Sequence, residues 1–190
     1  MTTTETTHDL TTLLLEQIDS HWTHQLRPRL DGLSNDEYLW EPVPEAWNVR
    51  RRGAGNAPVQ AGSGAFTIDF AFPPPHPEPV TTIAWRLGHL IVGVLRARTA
   101  AHFGGPPADY ERFAYAGTAD DALAQLDESY AAWLAGVRSW GDVGLTEACG
   151  PTEGPFADHP RTALVLHINR ELIHHGAEIA LLRDLWTHRA

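Results

Sequence analysis

Hydrophobic and polar positions repeat with a helical period in four long stretches of this chain. Leu10, Leu14, Ile18, Trp22 and Leu26 recur at every fourth residue, which predicts a first helix from roughly Asp9 to about Arg27, ended by Pro28 and Gly32. A second helix begins near Thr82 and runs through Ile83, Leu87, Leu90, Val94 and Leu95 to about His102, where Gly104-Gly105-Pro106-Pro107 stops it. It is apolar on most sides, as a central bundle helix would be. A third starts at Thr118, whose hydroxyl with Asp121 resembles a capping box, and turns Leu123, Leu126, Tyr130, Trp133 and Val137 to a core. The fourth runs from about Pro160, which suits a first helical turn, to Trp186.

About fifty residues separate the first two helices, far more than a turn between antiparallel neighbours needs. Glycine and proline are too dense there for a helix, and only the segment AFTIDFAF reads as a short strand. The connection therefore reads as a crossover that could also cover one end of the bundle. The fold expected is all-α, a four-helix bundle with a long crossover between the first and second helices, in a single domain spanning 1–190.

The fourth stretch breaks its own pattern. His167, Glu171 and His175 stand four residues apart, so about 100° per residue puts all three on one helix face. Glu171 and His175 fall at or inside the margin of the stripe formed by Leu164, Ile168, Leu172, Ile179 and Leu182. A carboxylate and an imidazole turned towards a core are costly unless something neutralises them, and both are good ligands for a divalent metal. A third ligand must then come from another helix, and His89, mid-helix in the most apolar segment, is the candidate. The zincin motif is excluded, because Arg170 stands where that motif requires histidine.

Composition narrows the function classes. The formal net charge is −10, which disfavours a phosphate backbone as partner, so no nucleic acid is expected. All 14 basic residues are arginine; without lysine there is no P-loop lysine, Schiff base or Ser-Lys dyad. No membrane span and no secretory signal are apparent, and a single cysteine, Cys149, suits a reducing cytoplasm.

The chain resembles the DinB-like (YfiT-like) superfamily of metal-binding four-helix proteins. The resemblance rests on WRLGHL in the second helix, the long crossover, the HFGGP stop and the block HINRELIHHGAEIALLRDL. That superfamily includes mycothiol and bacillithiol S-transferases and the mycothiol-dependent maleylpyruvate isomerase. The resemblance implies one divalent metal, zinc or nickel, held by His89, Glu171 and His175. Many members carry histidine where this chain has Glu171; the isomerase branch carries glutamate, but its additional C-terminal domain has no counterpart here.

The resemblance thus implies a metal-dependent transferase that joins a low-molecular-weight thiol, mycothiol by the arginine-rich composition, to a small electrophile. The alternatives are a non-catalytic metal-binding or stress-response bundle, a purely structural bundle, and a metal-dependent hydrolase in which bound water is the nucleophile. His167 reads as a partner behind a ligand, as an acid/base group facing substrate, or as a partly exposed helix residue. His174 reads as a surface imidazole, Glu178 as a hydrogen-bond partner for a ligand histidine, and Arg183 and Asp184 as members of structural ion pairs. Arg50, Arg51 and Arg52 could hold an anion, while Cys149 lacks the basic neighbour a nucleophile needs. Leftover apolar helix faces suggest a homodimer.

Overall fold

Each of the four periodic stretches becomes a rod. In the computed structural model, which describes residues 9–189, helix α1 covers 10–29, beginning as Leu10–His21, widening into a π turn at Trp22–Leu26 and closing at Arg27–Arg29. Asp9 caps it, its carboxylate accepting from the Thr12 N–H at 2.7 Å. Pro28 thus lies inside the last turn and does not end the helix, and Gly32 turns the chain with φ 70°. A single turn, α2, follows at Asn35–Tyr38.

Helix α3 covers 83–103, with Ile83–His89 and Ala97–Phe103 α-helical and Leu90–Arg96 a π stretch between them. The Thr82 hydroxyl caps its start by accepting from the Trp85 N–H, and Gly104, at φ 81°, ends it. Helix α4 is Ala119–Thr146, capped by the Thr118 hydroxyl and broken near its end by Gly141 at φ 58°. A strap of 3-10 turns, Pro151–Phe156, leads to α5, Arg161–Thr187. Pro160 is extended (ψ 148°) and stands just before the first helical residue.

Side-chain ties fix the directions of the rods. Asp142 caps the first residues of α1 while Arg27 pairs with Asp127, so α1 and α4 are antiparallel. Asn169 binds the Leu14 carbonyl and Asp184 pairs with Arg29, so α1 and α5 run the same way. Arg86 pairs with Glu178 at the start of α3 and the end of α5, which makes that pair antiparallel. Helices α4 and α5 each pack against both α1 and α3. The long connection of 30–82 therefore joins neighbouring ends of α1 and α3 and crosses over that end of the bundle. The loop 104–118 instead runs back along the length of α3, because α3 and α4 point the same way: Arg96 meets Glu128, and Phe103 packs on Trp133.

The crossover also carries a small antiparallel sheet. Its strands are β1 (Val49–Arg51), β2 (Val59–Ala61) and β3 (Phe66–Phe70), in the order β1-β3-β2. Ile68 pairs with Val49 on one side and Ala61 on the other, and all three are buried. Ile68 reaches Gly88, where an added Cβ would stand 3.0 Å from its Cδ1, so the sheet lies directly on α3 beside His89. The Trp85 indole N–H, donating to the Asp69 carbonyl at 2.8 Å, fastens the two together.

The core is continuous along the rods. Leu90 and Leu95 of α3, Leu126 and Trp133 of α4, and Ile168 and Leu172 of α5 are buried in it, each stabilising the fold by about 1.5–3 kcal/mol through removal of apolar surface from water. Trp22 stacks on Tyr130 with ring planes 6° apart. Among the described residues, no helix is long and apolar enough to cross a membrane.

Candidate metal centre

One turn of α5 places Glu171 and His175 side by side, with Nε2 of His175 3.5 Å from Oε2 of Glu171. Helix α3 brings His89 to the same point: its ring lies 4.8 Å from that of His175 and perpendicular to it. One ligand atom from each of His89, Glu171 and His175 lies within 4.8 Å of the other two.

Hydrogen bonding settles the orientation of His175. Its Nδ1 is 2.7 Å from Oε2 of Glu178 and 3.3 Å from Nη1 of Arg86; the much shorter contact is to a carboxylate, which can only accept, and it places the proton on Nδ1. Nε2 is then a lone pair, and it faces the Glu171 carboxylate. Two acceptors turned to each other across 3.5 Å repel unless a cation stands between them. This confrontation is where the donor set fits a metal, and two imidazoles with one carboxylate suit zinc and its neighbours. Arg86 forms an ion pair with Glu178, its Nε 3.1 Å from the same Oε2, holding the carboxylate that holds the imidazole.

His89 is held in a similar way. Its Nδ1 is hydrogen-bonded to the Tyr110 hydroxyl at 2.7 Å, and its ring stacks on Trp85. The tautomer that donates Nδ1–H to that hydroxyl leaves Nε2 as a second lone pair. Burial above all pushes the His89 pKa down to about 4, so the ring is a neutral ligand at ordinary pH. Burial pushes the Tyr110 phenol up to about 12, which keeps it protonated.

The approach of Tyr110 depends on one glycine. A Cβ at Gly93 would stand 2.0 Å from the Tyr110 oxygen, so only glycine at that position in the π stretch admits the phenol. A π turn next to a ligating position is a common device at functional sites.

The other candidates fall as follows. His167 is one turn from Glu171, half-exposed, with Nδ1 3.5 Å from that carboxylate and 2.6 Å from an Arg170 nitrogen that donates to it. His174 is exposed; with His175 and Glu178 it forms a second group of potential ligands that shares His175 with the first. Arg183 grips Glu37 and Asp184 pairs with Arg29, both structural. Arg50 is taken up by Glu41 and Asp69, Arg51 lies over Phe66, and Arg52 donates to the Gly62 and Gly64 carbonyls, so the basic triplet ties the crossover to itself. Cys149 is buried, which raises its thiol pKa. Tyr110, Gly93 and Arg86 were not singled out from the sequence. Only Arg86, one turn before His89 on the same helix, carried a signal that could have found it.

A family model for the DinB superfamily matches residues 17–179, a span that holds all three donors, the whole of α3 and most of α5. No curated protein and no solved structure matches the chain.

Proposed function

The chain belongs to the DinB superfamily, and from that premise we propose that it is a divalent-metal-dependent enzyme, a thiol S-transferase that conjugates a low-molecular-weight thiol to a small electrophile. The observation that carries the reading is the facing pair of acceptors, His175 Nε2 and the Glu171 carboxylate, with His89 closing the third side. Three protein donors leave coordination positions free, the arrangement of a catalytic site more than of a structural one. Bound there, a divalent metal supplies Lewis acidity that holds a coordinated thiol as thiolate, whose free pKa is about 8.5.

The chain's own residues do the rest. His89, Glu171 and His175 are the ligands, and Tyr110, Glu178 and Arg86 fix both imidazoles so that no rotamer search precedes binding. His167 accepts at Nδ1 from Arg170, so its proton sits on Nε2. As placed it is a donor, suited to protonate the oxygen or leaving group of the electrophile as the carbon–sulfur bond forms. The family membership supports the metal; the thiol, with mycothiol the first to try, and the electrophile are proposals.

The test is elemental analysis of untagged protein followed by a thiol-consumption screen. Stoichiometric zinc or nickel, thiol-dependent loss of a generic electrophile, and abolition of both by His175→Ala are the expected results. A chain that stays metal-free under saturating zinc refutes the proposal. Metal without turnover of any electrophile leaves a binding protein only.

A further inference from the structure

A cavity of about 300 Å³ adjoins the metal centre between α3, α5 and the strap Pro151–Phe156. None of the three donors lines it, but neighbours of the centre on both rods do. On α5 its wall includes His167, 3.5 Å from Glu171. On α3 it includes Arg98, whose charge is close enough to be felt by Tyr110, the partner of His89.

The chemistry of the lining runs against that of the surface. The chain as a whole carries −10, yet this cavity draws on two guanidinium groups, Arg98 and Arg170, and two imidazoles, His159 and His167, with one carboxylate, Glu153. Glu153 is already engaged: it is buried and accepts from His102 at 2.9 Å. Arg98 lies 3.2 Å from Glu153 but out of line for a hydrogen bond, and its buried Nε–H finds no acceptor. A buried guanidinium N–H without an acceptor is costly, and a ligand oxygen would recover that cost. Arg170 spends Nη2 on His167 and, together with Nε, on the Glu171 carboxylate at 3.4 Å, which leaves its Nη1 donors for a ligand. The remaining wall is apolar, from Phe156, Ala163 and Leu164.

We infer that this cavity is the electrophile's seat and that the electrophile is a small organic anion, a carboxylate with an apolar body. Resting on the proposed function, this gives it a substrate class. Arg98 and Arg170 take the carboxylate, their remaining N–H groups shared between its two oxygens. Phe156 and Leu164 cover the body, which lies within reach of the His167 proton.

Calorimetric binding to the full chain, zinc-loaded and chelated, tests this with benzoate as probe and benzamide as its neutral counterpart. Benzoate is expected to bind at least about tenfold tighter than benzamide. The double variant Arg98→Gln/Arg170→Gln should remove about tenfold or more of the benzoate affinity and leave that of benzamide unchanged. Ala163→Phe, which fills the cavity and keeps both arginines, should abolish benzoate binding while zinc stoichiometry stays that of the parent. Equal affinity for the two probes, indifference of benzoate to the arginine changes, or no benzoate binding by folded, zinc-loaded protein would each overturn the inference. Thiol consumption with the neutral electrophile 1-chloro-2,4-dinitrobenzene is read in parallel. Turnover there without benzoate binding sinks this inference alone, and benzoate binding by a chain that takes no zinc sinks the proposed function instead.

Discussion

Replacing Gly93 with alanine puts a methyl group where the Tyr110 hydroxyl now stands. The added Cβ would lie 2.0 Å from the phenolic oxygen, 2.9 Å from Cζ and 3.3 Å from Nδ1 of His89, against 3.4 Å for ordinary contact. The ring must therefore retreat by more than about 1 Å, which breaks the hydrogen bond to His89. Two opposing effects on stability follow. Alanine gains about 1 kcal/mol over glycine within a helix, whereas a buried hydrogen bond left unmade costs about 1–3 kcal/mol. Net stability should change little, falling by at most about 2 kcal/mol. Metal affinity should change more, because an imidazole that loses its outer partner weakens binding by about 10–100-fold. Competition titration of zinc against a chromogenic chelator, with urea unfolding alongside, separates the two. In a Tyr110→Ala background the clash is gone, so the same substitution should leave zinc affinity alone and stabilise the helix by about 1 kcal/mol. Zinc affinity within about twofold of the parent in Gly93→Ala, or an equal loss with Tyr110 absent, would refute this account of Tyr110.

Two further outcomes follow from buried charge. Arg183→Leu strands the Glu37 carboxylate, which is 4% exposed and held at 2.7 and 3.1 Å by that guanidinium; a loss of about 3 kcal/mol or more is expected in urea unfolding, largely restored by adding Glu37→Gln. A loss below about 1 kcal/mol would mean that the pair holds nothing. With metal chelated, stability should also fall on acidification. His89 titrates at about 4 when folded and near 6.5 when unfolded, so the unfolded chain binds the extra proton as pH drops through that window. The full shift corresponds to about 3 kcal/mol, complete below the lower value and absent above the higher. His89→Gln should flatten that part of the pH profile, and an unchanged slope would contradict the burial assigned to the ring.

The rods were legible because their apolar period is strong and their ends carry ordinary stop and cap residues, Asp9, Thr82, Thr118 and Gly104 among them. The two four-residue steps on α5 could be read as one face, and His89 stood out as a lone imidazole in an apolar run; the structure brings His89, Glu171 and His175 to one point. What supports them was not legible. Tyr110 lies in an aperiodic loop, and its position follows from that loop's return along α3. Gly93 reads as one more small residue in an apolar helix, with no sign that a ring passes over it. Strands β1 and β2 are three residues each, too short for alternation to register, and β1 holds two of the three consecutive arginines. The same triplet invited an anion-binding reading because sequence does not show that Glu41, Asp69 and backbone carbonyls take those charges.

The donor set is divided, one side chain on α3 and two on α5, with the whole of α4 and the strap threaded between them. An ion gripping both rods would act on the chain as a reversible cross-link, closing a loop large enough to remove on the order of 4 kcal/mol of freedom from the unfolded ensemble. Occupancy and foldedness are then one thermodynamic quantity, so a cell starved of the ion would see this chain's lifetime shorten along with its turnover.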